Sequence, residues 1–422
     1  MGYDSEENIG VDKCALSEFF TCLKGQLQLV TGLIEMPSEL TLADVRRPNM
    51  VLGDPGIGKT CGIISIIDEL NAQLPADKKL GFKKILLGQT VVGSLSGIPV
   101  INNQTGEVKR VQAPDLPVAE RDGEYGVLFL DEITTADEAQ VQPALGLCDD
   151  TRNIGTYQLP EHWVVVAAGN GPSCANFLEL HDMTLSRFVA FDVRYDYQKD
   201  WRPWAHAHGI NELIIAFLNF KPEYIVHVVT SEEDKSGKQF ACPRTWTRLS
   251  TELKMRELQG RRVSQNELQG FASRIIGTDA AREFAAFSMF NKTLRVDPDD
   301  ILSGKVRKAE VTLQLEEFHI IIQQISKRLI KLSESTDPND AKSVDHAYEV
   351  IGNAMRWIIS TKDIMLDRTF NAISEINTEV ADVGNVLADF ERFSEYCPEW
   401  VDFLDEYSAA LTDTENSIAN IY

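Results

Sequence analysis

Gly53-Asp54-Pro55-Gly56-Ile57-Gly58-Lys59-Thr60 fits the pattern G-x-x-x-x-G-K-[ST] at every position. A short apolar run at 49–52 precedes it and a helical run at 61–70 follows, which is the strand–loop–helix setting that gives the pattern meaning. Its glycines let backbone N–H groups turn inward around phosphates, and the following helix offers its positive amino-terminal end. Lys59 is placed to neutralise β- and γ-phosphate oxygens, and Thr60 to give its hydroxyl to Mg²⁺. The expectation is a site for Mg²⁺ and ATP built on Gly53, Asp54, Pro55, Gly56, Ile57, Gly58, Lys59 and Thr60.

Outward from this loop, apolar runs at 49–53, 84–88, 127–131, 163–169 and 189–193 alternate with polar helical segments. Runs that are apolar on both faces predict a parallel sheet with helices on either side, an α/β core. Ahead of them, Leu16, Phe19, Phe20, Leu23, Leu27, Val30 and Leu33 fall at helical spacing and predict one amphipathic packing helix. Beyond Trp204, helical periodicity dominates, at 210–218, 246–258, 280–290, 311–332 and 344–359. Phe318, Ile321, Ile322, Ile325, Leu329 and Leu332 form the clearest stripe. Two stretches read as boundaries: the charged Ser231-Glu232-Glu233-Asp234-Lys235-Ser236-Gly237-Lys238, and the turn signal Val296-Asp297-Pro298-Asp299-Asp300. The expected organisation is an N-terminal helical segment at 1–40, a nucleotide-binding core at 41–205, a helical lid at 206–290 and an acidic helical region at 291–422.

Val127-Leu128-Phe129-Leu130-Asp131-Glu132 is an apolar strand ending in two carboxylates at the sheet edge beside the loop. Asp131 is expected to hold Mg²⁺ through its water shell, and Glu132 to orient and polarise the attacking water. Taken alone, an Asp-Glu pair after a strand also suits a helix cap. Trp163-Val164-Val165-Val166-Ala167-Ala168-Gly169-Asn170 ends in an amide that can reach the γ-phosphate or the water; a turn residue is the alternative for Asn170.

A P-loop, a strand-borne Asp-Glu, a later strand ending in Asn170 and then Ser186-Arg187-Phe188 follow the motif order of AAA+ ATPases, which this sequence resembles. The resemblance covers roughly residues 45–290 and is nearest to the MoxR-like, helix-2-insert branch, including ATPases encoded by bacteria and phages beside von Willebrand factor A domain proteins. Gly97-Ile98-Pro99-Val100, Asn102-Asn103-Gln104-Thr105-Gly106 and the run 107–111 read as a hairpin near 97–112, resembling that branch's insert. Val141-Gln142-Pro143-Ala144-Leu145 and a second hairpin in Ile154-Gly155-Thr156-Tyr157-Gln158-Leu159-Pro160 also match.

The resemblance implies a strand order of 5-1-4-3-2, followed by the helical lid, and makes Asn170 the sensor-1 residue. It implies that Arg187 is a finger reaching a neighbouring subunit's ATP, for which a salt bridge within the chain is the alternative. It also makes Arg244, in Cys242-Pro243-Arg244-Thr245-Trp246, the sensor-2 residue, with Arg248 as the other candidate. Arg152 is a further candidate for facing a neighbour, and Asp200-Trp201-Arg202-Pro203-Trp204 resembles a W-x-x-W connection between core and lid. The implied activity is ATP hydrolysis by a homohexameric ring acting, chaperone-like, on a protein client, with a von Willebrand factor A domain protein as adaptor.

Charge bears on the partner. The chain of 422 residues carries a net −23, and residues 331–422 hold 19 Asp plus Glu against 6 Lys plus Arg. No basic stripe stands out, which disfavours nucleic acid and favours a protein partner. A nucleic-acid motor related to replicative helicases is the first rival, with Lys109 and Arg110 in the hairpin as its only hint; a nucleotide-gated structural component is the second. Seven scattered cysteines without C-x-x-C spacing predict neither disulfides nor zinc. No apolar run is long enough for membrane insertion, and the acidic start Met1-Gly2-Tyr3-Asp4-Ser5-Glu6-Glu7 lacks the basic character of a secretory signal, so a cytoplasmic location is expected.

Overall fold

The computed structural model describes residues 11–91, 95–101, 104, 108–111, 114–171, 174, 178, 180–227, 239–261, 263–292, 294–337, 340–380 and 390–406. The charged stretch 231–238 and the hairpin tip residues Asn102, Asn103, Thr105, Gly106 and Glu107 lie outside them.

Among the described residues ten strands are formed, β1 (Lys13–Cys14), β2 (Asn49–Leu52), β3 (Leu80–Leu86), β4 (Ile98–Ile101), β5 (Val108–Val111), β6 (Tyr125–Asp131), β7 (Asn153–Ile154), β8 (Tyr157–Gln158), β9 (His162–Gly169) and β10 (Val189–Val193). Six of them make a parallel sheet in the order β1-β10-β2-β9-β6-β3. Counting the five long core strands along the chain, this is the expected 5-1-4-3-2. The short edge strand β1, paired with β10 through Lys13↔Asp192 and Cys14↔Val193, is an addition that two residues of sequence could not announce.

Continuous apolar runs arise because the sheet is buried on both faces. Met50, Leu52, Leu128, Leu130, Trp163, Val165 and Ala167 enter one core, while Val51, Val127, Phe129, Val164, Val166 and Ala168 enter the other. The second core is covered by the helices Leu16–Thr31 and Lys59–Gln73, through Leu16, Phe19, Leu23, Leu27 and Val30 and through Ile63, Ile66, Ile67 and Leu70. Gly62 makes room for this packing: a Cβ there would lie 1.9 Å from Cζ of Phe20.

Asp200 has a defined structural task. Its carboxylate accepts N–H groups of Leu16 at 3.3 Å, Ser17 at 2.9 Å and Asp196 at 2.8 Å, placing negative charge at the amino end of helix Leu16–Thr31. Trp201 is buried beside it, and Trp204 stacks on His208 with ring centroids 4.4 Å apart.

The chain forms two compact units, residues 1–208 with 225–247, and residues 209–224 with 248–422. The sheet belongs to the first. The second is helical and contains Glu212–Phe220, Gln265–Ile276, Thr278–Lys292, Pro298–Leu302, Leu315–Ser335, Ala341–Ile359, Lys362–Val380 and Phe390–Tyr396. Phe318, Ile321, Ile322, Ile325 and Leu329 are buried with Trp357, Ile373, Phe393 and Phe403, so the predicted stripe is a core stripe. The turn at 296–300 is internal to this unit: Asp297 caps the short helix Pro298–Leu302 through the Asp299 N–H at 2.9 Å. Among the described residues no two cysteines are joined in a disulfide, and no helix is long and apolar enough to cross a membrane.

Candidate nucleotide and magnesium site

The loop 53–60 leaves the carboxyl end of β2, and the Gly53 N–H donates to the Gly169 carbonyl at 3.3 Å, fastening its start to β9. Gly56 and Gly58 have φ of 83° and 103°, values that side chains disfavour. Gly56 is also tightly covered: a Cβ there would lie 2.7 Å from Cys242 Sγ. Lys59 begins the helix, and its ammonium reaches back across the loop to the carbonyls of Gly53 at 2.7 Å and Asp54 at 3.0 Å. Burial pulls Lys59 down to about 8, although Asp131 and Asp54 favour its charged form; Arg244 opposes it. Burial likewise raises the Asp54 carboxyl, against the pull of Lys59.

Asp131 ends β6, two strands from β2 with β9 between them. Its Oδ1 accepts the Glu132 N–H at 3.0 Å. Glu132 adopts a left-handed backbone, φ 61° and ψ 33°, a conformation rarely taken by a residue with a side chain and concentrated at functional sites. Its carbonyl accepts the N–H and hydroxyl of Thr135, at 3.1 and 3.0 Å, which holds that turn.

Asn170 follows β9, and its N–H donates to the Thr134 hydroxyl at 2.8 Å. That hydroxyl, fully buried, returns a bond to the Asn170 carbonyl at 3.3 Å. Thr134 therefore ties the turn carrying Glu132 to the turn carrying Asn170. Sequence reasoning overlooked it, and the only signal was its position two residues beyond Glu132.

The arginines fall in different places. Arg244 lies in the first unit with the loop: its N–H donates to the Gly56 carbonyl at 3.2 Å. Arg248 belongs to the second unit. Arg187, between the short helix Asp182–Leu185 and β10, pairs through Nε with Asp149 Oδ1 at 2.5 Å and also bonds the Met183 carbonyl. Arg152 is not a group free to face a neighbour. It is 6% exposed and bonds the carbonyls of Trp163 and Pro160.

Phosphates, magnesium and water would meet at the carboxyl edge of the sheet, where Lys59, Thr60, Asp131, Glu132 and Asn170 terminate or follow β2, β6 and β9. The donors fit magnesium. This ion takes one or two hard carboxylates, water and substrate phosphates rather than a cage of protein ligands, and Asp131 with the Thr60 hydroxyl supplies that set. A cavity of about 580 Å³, lined by Arg46, Glu124, Arg152, Tyr157 and Pro160 among others, lies by residues that precede β6 and β9, hence at the opposite edge.

The sequence matches no family model and no curated protein. Solved structures are similar to it at low identity. A candidate ATPase from Cytophaga hutchinsonii is 13% identical, with 88% of this chain and 86% of that chain covered and a TM-score of 0.25. The S. cerevisiae Hsp104:casein complex is 17% identical over 59% of this chain and 46% of that one, TM-score 0.35. The AAA domain of FIGL-1 in complex with ADP is 15% identical over 68% and 91%, TM-score 0.32. These are loose likenesses, and the assignment of the site rests on the chain's own residues.

Proposed function

We propose that this chain is a Mg²⁺-dependent ATPase of the AAA+ kind, acting in a ring on a protein partner. The observation that carries the proposal is the gathering of the loop 53–60, Asp131–Glu132 and Asn170 at one sheet edge, with Lys59 close enough to Asp131 for their charges to interact. In this reading, loop N–H groups and Lys59 hold the phosphates, and Glu132 holds and polarises the water for in-line attack. Asn170 positions that water or the γ-phosphate, and Arg244 stabilises the nucleotide beside Gly56. Magnesium, held by Thr60 and Asp131, would neutralise charge on the β- and γ-oxygens.

The ring is proposed through Arg187. Its pairing with Asp149 is the alternative already foreseen for it, and the two readings exclude different outcomes. Mixed assembly separates them. Lys59→Ala subunits still present Arg187, and Arg187→Ala subunits still bind ATP. Recovered hydrolysis in verified mixed rings supports action across a boundary; no recovery makes Arg187 a residue of its own chain.

For the partner, the hairpin β4–β5 exposes Ile98, Val100, Ile101, Val108 and Val111 on both faces, a surface suited to protein rather than phosphate. Arg110, half of the helicase hint, is turned back onto the carbonyls of Ser96 and Gly97, at 3.3 and 3.1 Å. A protein client, through a von Willebrand factor A domain adaptor or directly, is therefore preferred. ATP turnover with and without DNA tests the choice: little stimulation is expected, and a large, salt-sensitive rise would favour the nucleic-acid motor.

A further inference from the structure

Asp131 meets a cation that the motif does not account for. Lys84 lies on β3, in register with Phe129 of β6, while Leu86 is in register with Asp131 itself. Its ammonium passes the Phe129 ring, 5.7 Å from the centroid, and reaches Asp131 Oδ2 at 2.6 Å. The other oxygen, Oδ1, already accepts the Glu132 N–H. Both oxygens of the carboxylate assigned to magnesium thus have partners within the chain. Strand alternation makes the placement specific, since the adjacent Lys83 pairs instead with Asp122 at 3.0 Å. The Lys84 side chain is 34% exposed and that of Asp131 18%, so a neutral residue at 84 leaves no deeply buried charge alone.

We propose that Lys84 is the counter-ion of the magnesium aspartate, and that Mg²⁺ arriving with nucleotide competes with this ammonium for Asp131. The inference rests on the Mg·ATP reading of the site. Whether the ammonium leaves or stays, metal binding is weakened: leaving costs the ion pair, and staying sets two cations against each other across one carboxylate. Lys84 is therefore a positioning residue that acts through Asp131. It sets the metal concentration at which the site engages Mg·ATP. Such a lysine would keep the aspartate neutralised until nucleotide brings its own metal.

The quantity to measure is the coupling between metal and nucleotide, the ratio of ATP affinities with Mg²⁺ and with chelator, by titration of a fluorescent ATP analogue into the full chain. Lys84→Met should raise this ratio by roughly tenfold, the scale expected for removing one close, partly screened charge. Lys83→Met should leave it unchanged. Lys84→Arg, whose planar fork grips a carboxylate more firmly, should lower it and keeps the idea falsifiable if the Met variant folds poorly. An unchanged or reduced ratio in folded Lys84→Met, or a raised ratio in Lys84→Arg, overturns the competition. A wild-type chain that binds no ATP, with metal or without, instead overturns the site reading and this inference with it.

Discussion

Lys59 donates to two carbonyls of its own loop, and these short bonds show that the loop backbone already presents its lysine inward. Lys59→Ala should retain the fold while losing tight ATP binding, because it removes the point charge facing the β- and γ-oxygens. Undiminished affinity in a direct titration would defeat the assignment. Thr134 makes a subtler case. Its hydroxyl is the link between the Glu132 and Asn170 turns, so Thr134→Val should bind ATP but turn over at least about tenfold more slowly, and Thr134→Ser should recover most of the rate. Equal rates in all three proteins would reduce Thr134 to packing. The contrast between these residues shows what sequence can reveal. Lys59 and Thr60 sit inside an eight-residue pattern whose chemistry is local, and the pair Asp131–Glu132 ends an apolar strand run that is equally local. Thr134 and Lys84 gain their roles from partners brought near by the sheet, and no spacing along the chain encodes that.

At the scale of elements, the strands beside the loop were legible because burial on both faces leaves an unbroken apolar run. The strand Leu80–Leu86 is expected at 84–88, late at both ends, because its first half mixes Gly81 and Lys83 among apolar residues at the sheet's edge and the apolar run continues through Leu87 into a turn. Helices Gln265–Ile276 and Lys362–Val380 fall within the stretches expected to be helical without being singled out, and the second is interrupted by non-helical backbone at Met365. The contact of helix Leu16–Thr31 with helix Lys59–Gln73 yields a prediction with an unusual sign. Glycine to alanine within a helix ordinarily gains about 1 kcal/mol. At Gly62 the added methyl would collide with the Phe20 ring, so Gly62→Ala should instead cost about 1–3 kcal/mol, and Phe20→Leu in the same chain should recover part of the loss. Denaturant midpoints of the two variants decide it; a stabilised Gly62→Ala protein would show that the ring turns aside freely.

Across the whole molecule, the sequence separated an α/β half from a helical half, but the compact units follow a different division. Residues 225–247 join the sheet-bearing unit through Arg244, whose N–H donates to the Gly56 carbonyl, and Cys242, which covers Gly56, tertiary ties that composition cannot foretell. The helical unit carries its own acid sensitivity. Burial, with Arg368 adding to it, pushes the His319 imidazole down to about 4, against an ordinary value near 6.5. Between these values the unfolded chain binds a proton that the folded chain refuses, so stability present above pH 6.5 is lost as the pH falls toward 4. At pH 5 this amounts to about 2 kcal/mol, and His319→Leu should show a correspondingly smaller difference between urea midpoints at pH 7 and pH 5. The same difference in both proteins would assign the acid sensitivity elsewhere.

The central claim is that the sheet edge at Thr60, Asp131, Glu132 and Asn170 hydrolyses ATP. It is tested most directly by comparing wild type and Glu132→Gln for phosphate release from Mg·ATP and, in parallel, for ATP affinity. The amide keeps the shape of the carboxylate and loses its ability to hold and polarise water, so the account predicts similar affinities with turnover slowed by about 100-fold or more. Equal turnover in the two proteins, or a wild-type chain that neither binds nor hydrolyses ATP, would contradict it.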